Sequence, residues 1–549
     1  MSKFERKKVS NLKLRAGTPS FVRALALIAL AVTIFAVGIG FYRYSGTKDF
    51  RMRGELTKLS KDVVATVTGY ERREVEGDVV KYYIKADRAT TFADNHQELE
   101  NVYLEVYNQE TENPDKISAD RAVYIPTEDK NFRAYFTGAV NIETRDGLRV
   151  KSEQISYDKA TEIAESEEPV EFARQSVSGK ALSAKVFVED KRLELVSQVE
   201  INAFAGETAD SGNNELKDAN LQSARITAGR ATVEQMAGKI EFEQNVNANL
   251  QPKNNSGGRL AQPTDASAER MTAFFDDREI NRLELNGGVE IFAKPTDAEP
   301  RYTKTRAARA VAHFAGELNR VELEENVEIE TAGGNSRPTR IRSQRAVFDK
   351  PSDRFELKNG AEIVTVEDER PTTARAQEAV YEQTNGRILL NGGAEITQAE
   401  VFLKGDQMTA ELYANKKVRF AQSRGNSYLK QTAPDRTTEV SAAELNANFA
   451  ENRQIQTAAA INSANVVLIP AQTDDYNKVT MTAPKAARLS FAGNVLNQMQ
   501  TEGRTSVVMT VPPNRADAAN KKLTADAVKT VFNANGRDLS KAEAVGSAE

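Results

Sequence analysis

The chain reads as all-β: an extended antiparallel β-jellyroll or solenoid, a twisted two-sheet stack, behind one N-terminal transmembrane helix. Three observations lead there. One two-stranded unit recurs about a dozen times between Tyr82 and the C-terminus, the signature of a stack in which each layer touches only its neighbours. Within a unit, apolar residues stand two apart with Glu, Arg, Lys or Asn between them, which puts them on one face of a strand. Ahead of the repeats, residues 24–44 hold an apolar run of about bilayer-crossing length.

Taken in order, the tail (residues 1–23) carries Lys3, Arg6, Lys7, Lys8, Lys13, Arg15 and Arg23 against one acid, Glu5. The positive-inside rule leaves that tail in the cytoplasm and the repeats on the far side of the membrane. A cleaved signal peptide is the rival, with a shorter apolar core and a small-x-small site after it. Here the run ends instead in Phe41, Tyr42, Arg43 and Tyr44, aromatic and basic residues suited to an interface, so a retained anchor is expected. Residues 45–62 read as a charged connector, and the β-body begins near Val63.

Each unit has two halves. The first runs apolar-x-small-x-x-apolar-x-apolar, as in Ile117, Ala119, Ala122, Tyr124 and in Ile341, Ser343, Ala346, Phe348. The second is two apolar pairs across a polar break. It appears as Phe132, Phe136, Val140, Ile142; as Leu193, Leu195, Val199, Ile201; as Leu283, Leu285, Val289, Ile291; and as Val321, Leu323, Val327, Ile329. The step from Leu285 to Val289 is even, so the apolar phase survives the Asn286-Gly287 break. A two-residue Asn-Gly hairpin would set Glu284 opposite Val289, charge against core. These breaks are therefore read as bends or bulges in a continuous strand. The three-residue step from Ala119 to Ala122 flips the phase, which places an extra residue, a bulge or a corner between sheets, in the first half.

Spacing is about 27 to 33 residues up to Gly179 and then widens around polar inserts: GETADSGNNELKDAN after Ala205, QPKNNSGGRLAQPTDAS after Leu250, and TAGGNSRPT after Glu330. Their composition makes them solvated loops or disordered excursions. The last unit has Leu523, Ala525, Val528 and Phe532, then GRDLSKAEAVGSAE, which stops before a second apolar pair. An unfinished layer would leave a strand edge, either frayed or available to another sheet.

Composition narrows the chemistry. Net charge is −5 with 28% charged residues, which gives no support for nucleic-acid binding. Cysteine is absent and there are two histidines, His96 and His313, expected as surface or strand residues. No disulfide, thiol chemistry or metal-ligand cluster follows, and no cofactor is expected. The acidic pairs Asp276-Asp277, Asp474-Asp475, Glu324-Glu325 and Glu167-Glu168 fall in turns or between strand pairs, where acids are solvated. Neither a Ser-His-Asp set nor a phosphate-binding Gly-Lys-Ser/Thr loop occurs. No catalytic residue is assigned; the chain does not read as an enzyme.

From Gly147 to Ile201 the sequence resembles the periplasmic segment of LptC, the bitopic component of the lipopolysaccharide export bridge. The resemblance rests on Asp146-Gly147, Val150, Ser152, Tyr157-Asp158, Pro169-Val170, Phe172, Val177 and Gly179. From about residue 220 onward the units look like the related OstA/LptA repeat, with its A-x-x-A and N-G-x-V-x-I rhythm. The domains expected are thus an LptC-like jellyroll at 63–205 and OstA/LptA-like repeats at 220–549. An ordinary LptC has one such jellyroll, so this chain departs from the family in length. The resemblance implies an inner-membrane, single-pass protein with its bulk in the periplasm. It implies as partners lipopolysaccharide or a related lipid, an inner-membrane ABC transporter complex, and a periplasmic or outer-membrane β-jellyroll at the C-terminal edge.

Two interiors remain open. A dry sandwich core would suit a membrane-tethered structural or adhesive scaffold, and periodicity alone favours it. An apolar groove between two sheets would suit lipid transport, and the resemblance reverses the order. The groove lining would be the second-half residues named above together with Val170 and Phe172. Small residues near the bend are expected to leave room between the sheets.

Overall fold

The computed structural model describes residues 59–549 apart from 77–78, 109–110, 128–130, 145–146, 175–176, 188–189, 205–220, 235, 253–261, 277–278, 298, 316, 335–336, 368, 435, 472–476, 513–518 and 534–538. The tail, the apolar run 24–44, most of the connector and the insert after Ala205 lie outside the described residues. Among those described there are 33 strands, and no helix is long and apolar enough to cross a membrane. The described residues fall into two compact units, one running to Lys294 and including Val311–Glu317, the other Pro295–Ala310 with Leu318–Glu549.

The first unit starts as an antiparallel meander of β1 (Val63–Glu76), β2 (Val79–Phe92), β3 (Gln97–Asn108), β4 (Thr111–Pro126), β5 (Phe132–Glu143) and β6 (Arg149–Asp158). The next strands are half as long: β7 (Ile163–Ser166), β8 (Val170–Arg174), β9 (Val177–Ala181) and β10 (Ser183–Phe187), followed by β11 (Arg192–Phe204). They expose the architecture. One end of β6 pairs with β7 and the other with β8. β7 then pairs with β10 and β8 with β9, and β11 receives β10 on its first half and β9 on its second. Every full-length strand therefore serves two ladders, one at each end. Corners between the ladders fall at Glu167-Glu168-Pro169, where proline needs no ladder partner, and at Leu182, whose amide bonds Ser197 O at 3.0 Å. Full-length strands resume with β12 (Leu221–Glu234), β13 (Lys239–Pro252), β14 (Thr264–Asp276) and β15 (Glu279–Ala293).

The mid-strand break has a fixed conformation. Two consecutive residues take positive φ at Gly138-Ala139 in β5, Ser197-Gln198 in β11, Gln244-Asn245 in β13 and Gly287-Gly288 in β15. The bulge reading is right but its side is corrected: the extra residue belongs to the second half of each unit. Ser267 and Arg270, three apart on β14, pair with Glu290 and Asn286, four apart on β15. Both residues of a type I′ hairpin also need positive φ; the Asn-Gly pair itself takes it at Asn359-Gly360, whereas after Asn286 and Asn391 the following two glycines do. The strand continues because the flanking residues pair outward with neighbouring strands. Glycine is required at Gly287, with φ of +80°, where a Cβ would lie 2.8 Å from Glu269 Cβ.

In the second unit the full-length pattern runs through β16 (Tyr302–Ala315), whose last residues from Val311 belong to the first unit, and on through β17 (Glu317–Ala332), β18 (Thr339–Asp349), β19 (Arg354–Glu367), β20 (Arg370–Glu382), β21 (Arg387–Gln398), β22 (Val401–Leu412), β23 (Val418–Thr432) and β24 (Arg436–Phe449). Paired positive-φ residues recur at Glu325-Asn326, Asn359-Gly360, Gly392-Gly393 and Gly425-Asn426. After β24 each layer is two half-strands: β25 (Ile455–Ile461) and β26 (Ala464–Pro470), β27 (Lys478–Ala483) and β28 (Ala486–Ala492), β29 (Val495–Glu502) and β30 (Thr505–Thr510), then β31 (Lys521–Ala525) and β32 (Ala527–Phe532), with β33 (Leu539–Val545) last. One ladder runs from the C-terminal half of β24 through β25, β28, β29, β32 and β33. The other runs from the N-terminal half of β24 through β26, β27, β30 and β31. Their inner faces meet: Ala460 and Ala487 of the first form one apolar cluster with Ala464, Met481 and Ala483 of the second.

The final layer is more complete than its side chains foretell. β33 pairs along β32, and Glu549 and Thr524 exchange both backbone bonds at 2.9 Å. Ladder pairing uses the main chain, so Leu539–Val545 forms its strand without a second apolar pair.

At the other end, residues 59–62 are tied down. Leu59 packs with Ile125 on Val123 and Tyr135, a second apolar patch on the opposite face of β4 and β5. Asp62 O accepts from the Ala93 amide at 2.9 Å, and Ser60 N donates to Asp94 Oδ2 at 2.8 Å. His96, expected on a surface or strand, is buried in this turn beside Asp94, its ring stacked on Phe92 at 4.2 Å. The Ser60 amide, ahead of the His96 contacts, lowers Asp94 from 3.8 to about 2. A depressed carboxylate stabilises above its ordinary range and loses that contribution as pH falls through its folded value. The tie should thus hold above pH 3.8 and loosen as pH falls towards about 2. Asp94→Ala should loosen it at neutral pH, raising hydrogen exchange at the Ser60 and Ala93 amides roughly tenfold. Unchanged exchange would show that Leu59 packing alone holds the segment.

Candidate functional site

The inner faces of the two ladders are the candidate site, and their accessibility changes along the chain. In the first unit Phe132, Phe136, Val140, Ile142, Val170, Phe172, Leu193, Leu195, Val199 and Ile201 are all between 0 and 4% exposed. Large rings fill the space: Phe132 lies 5.2 Å from Tyr124 and 5.9 Å from Tyr157, and burial raises the Tyr157 hydroxyl well above its ordinary pKa. This stretch is densely packed.

Further along, exposure depends on depth. Leu285, Val289, Leu323 and Val327 flank the break and are buried. Leu283, Ile291, Val321 and Ile329, one step farther from it, are half-exposed. The same division holds for Leu357 and Ala361 against Phe355 and Ile363, and for Leu390 and Ala394 against Ile388 and Ile396. The ladders meet at the break and their inner faces become accessible away from it.

The small residues near the bend do not leave room. Ser343, Ala346, Ala361, Ala376, Ala379 and Ala394 are buried. A Cβ on Gly405 would stand 2.1 Å from Ser423 Oγ, on the other side of the break. They are small because the two ladders come into contact at the crease; accessible apolar surface lies farther out.

On β17 to β21 the inner face is layered by register. Beyond the crease, Ile329, Ile341, Ile363, Ala374 and Ile396 stand side by side across five strands. Beyond them, Thr331, Thr339, Thr365 and Thr372 form the next row, with the Thr339 and Thr365 hydroxyls 3.4 Å apart. All these side chains are half-exposed. The threonine row was missed in sequence reasoning; its signal is Ile-x-Thr on odd strands facing Thr-x-Ile or Thr-x-Ala on even ones, visible only once the strands are in register.

Charge sits on the opposite face. Arg342 pairs with Glu328 at 3.0 Å and Arg375 with Glu362 at 2.7 Å, and Lys358 holds the Glu356 carboxyl below its ordinary pKa. Of the acidic pairs, Glu324 binds Arg309 at 3.1 Å, and Glu325 is the first left-handed residue of its break. No group of three or more metal-ligating side chains occurs among the described residues.

Truncating isoleucine at equivalent positions separates packed from accessible lining. Ile142→Ala should cost about 2–5 kcal/mol, whereas Ile329→Ala, half-exposed already, should cost less than about half of that. Denaturant midpoints measure both; equal losses would mean that the inner face at Ile329 is packed as densely as at Ile142.

A search of curated proteins finds no match. Among solved structures, part of the chain is similar to LptH, the LptA homologous periplasmic component of the conserved lipopolysaccharide transport device from Pseudomonas aeruginosa. Identity is 20%, over 23% of this chain and 80% of that one, with a TM-score of 0.19. CdiB from Acinetobacter baumannii aligns over 84% of this chain and 58% of its own at 6% identity, with a TM-score of 0.08. The family described as "Lipopolysaccharide-assembly, LptC-related" matches residues 27–203. Over that stretch, from within the apolar run almost to the end of β11, the sequence is similar to LptC-related proteins.

Proposed function

We propose that the protein is a membrane-anchored periplasmic component of a lipid-transport bridge. It carries lipopolysaccharide, or a similar multi-acyl lipid, along an apolar groove from the inner towards the outer membrane. One observation carries the proposal: an LptC-related segment is followed by strands with the same mid-strand break, whose inner apolar faces become half-exposed from Leu283 onward. Each buried CH₂ is worth roughly 0.8 kcal/mol, so acyl chains prefer such a face to water. Because neighbouring layers offer similar lining, one position differs little in energy from the next and the lipid slides. Direction comes from loading at the membrane end by an inner-membrane ABC transporter complex. A second β-jellyroll receives the lipid at the C-terminal edge, where β33 lies.

A second reading has its own support. The dense interior between Phe132 and Ile201 favours a membrane-tethered structural or adhesive β-solenoid with a dry core, at least for that stretch. Photo-crosslinkers placed at Ile291 and Ile329 in cells separate the two. Capture of lipid, lost when Leu285→Asp or Val327→Asp is added, supports transport; a groove that captures none leaves the scaffold. The anchor is tested by deleting residues 1–44. The β-body should then be released folded and soluble, and persistence in the membrane fraction would overturn the single-span topology.

A further inference from the structure

The outermost layer of the β17–β20 inner face is charged and joins the two rims of the fold. Glu367 continues the phase of Ala361, Ile363 and Thr365, and Arg337 continues that of Ser343, Ile341 and Thr339. Arg337 Nη2 lies 2.6 Å from Glu367 Oε1. Arg337 in the β17–β18 connection and Glu367 at the end of β19 stand on one rim. Arg453 lies in the β24–β25 turn, on the opposite rim with the β18–β19 and β20–β21 turns. Its Nη1 reaches the same Glu367 Oε1 at 2.6 Å, across 86 residues of sequence. From the crease outward, the face thus passes from buried alanine and serine to isoleucine, to threonine, and then to one carboxylate between two guanidinium groups.

We infer that this collar is a recognition site for the phosphorylated head of an acylated sugar lipid, with Glu367 occupying the place of the anion when no lipid is present. This rests on the transport reading above, which puts acyl chains on the inner face and the head in water. The layers match such a molecule in order: hydrocarbon on the isoleucine row, sugar hydroxyls on the threonine row, phosphate between Arg337 and Arg453. Guanidinium groups suit phosphate as well as carboxylate, through paired, charge-assisted hydrogen bonds. Exchange is easy because the groups are open to water: Arg453 and Arg337 are 50% and 47% exposed and Glu367 is 32% exposed. Ion pairs of that kind hold weakly. In the first unit the row equivalent to the threonines is Ala203, Ala224, Leu250, Thr264 and Ala293, and one step farther out the described residues Gln222, Pro252 and Gln262 carry no charge.

Binding to the purified full-length protein tests this with three probes: a fluorescent fatty acid, a bisphosphorylated hexa-acyl glucosamine disaccharide, and the same glycolipid without phosphates. Arg337→Gln and Arg453→Gln should each weaken the phosphorylated glycolipid by roughly tenfold and leave the other two probes unchanged. Glu367→Gln removes the competing carboxylate and should tighten the phosphorylated glycolipid, a sign that lost structural support cannot produce. Equal effects on both glycolipids, or none, overturn the collar while fatty-acid binding keeps the groove. Displacement of the phosphorylated glycolipid by inorganic phosphate at its own concentration also overturns it, because the site would then read free phosphate. Failure of the wild-type chain to bind the fatty acid brings down the groove and the collar together.

Discussion

A backbone constraint underlies the rest of the structure: in layer after layer the chain must bend at mid-strand without losing its ladders. Two consecutive left-handed residues accomplish this in alternate long strands, as at Asn359-Gly360 in β19 and Gly392-Gly393 in β21. From β25 onward a full interruption does the same, as at Gly503-Arg504 between β29 and β30. Buried hydroxyls bond the carbonyls near the bend. Ser343 Oγ donates to Arg345 O at 3.0 Å and Thr505 Oγ1 to Gly503 O at 2.9 Å, while the Thr505 and Thr501 hydroxyls meet at 2.7 Å inside the crease. Unpaired backbone groups there would be costly. The recurrence of serine, threonine, glycine and alanine near the bend follows from this need and from the close approach of the two ladders.

Much of this was legible in the sequence because period-two alternation states which face of a strand is wet. Val321, Leu323, Val327 and Ile329 share a face as the spacing required, and the even step across Glu325-Asn326 correctly implied a continuous strand. Alternation does not state depth. Leu323 and Ile329 look alike in sequence, yet one is buried and the other half-exposed, because depth depends on distance from a crease that forms only when two ladders fold together. Nor does it reveal a second use of a strand. Val123 and Tyr135 lie in the outward phase of β4 and β5, and they are buried only because Leu59 and Ile125 cover them. The Arg453–Glu367 contact was out of reach for the same reason, since nothing local relates residues 86 apart.

The change from dense to layered interior does not begin at the break, where equivalent places are alike. Phe136 with Val140 on β5, Leu195 with Val199 on β11 and Leu323 with Val327 on β17 are all buried, and so are the small pairs of the alternate strands, Ala119 with Ala122, Ala228 with Ala231 and Ser343 with Ala346. The difference lies one step out, where Ile142 and Ile201 are buried and Ile329 and Ile363 are half-exposed. In a stack where each layer contacts only its neighbours, such a change can be made layer by layer without disturbing the rest. A single backbone plan can therefore support a packed segment and an accessible one within one chain.

Similar layers pose a problem of their own, since any strand could pair with the wrong neighbour. The outer face supplies a physical answer. β17 presents Glu322, Glu324, Glu328 and Glu330, and β18 answers with Arg340, Arg342 and Arg345. Glu328 binds both Arg340 at 3.6 Å and Arg342 at 3.0 Å, and Arg345 pairs with Glu322 and Glu324. β19 returns to acid at Glu362, within 3.9 Å of Arg342, and β20 to base at Arg375. Before the break the signs are mixed instead: Arg354 and Lys358 both bind Glu356 within β19, and Arg345 stands opposite Lys358. Each exposed pair is worth at most about 1 kcal/mol, too little to explain stability. The row beyond the break acts differently, because Glu328, Arg342, Glu362 and Arg375 face one another in turn. Pairing β17 with β19, or β18 with β20, along that row would set like charges opposite each other, which is destabilising in a sheet. Backbone and apolar pattern are nearly blind to that mispairing, so this one row of alternating charge helps to hold the layers in order while the inner face is left free to vary.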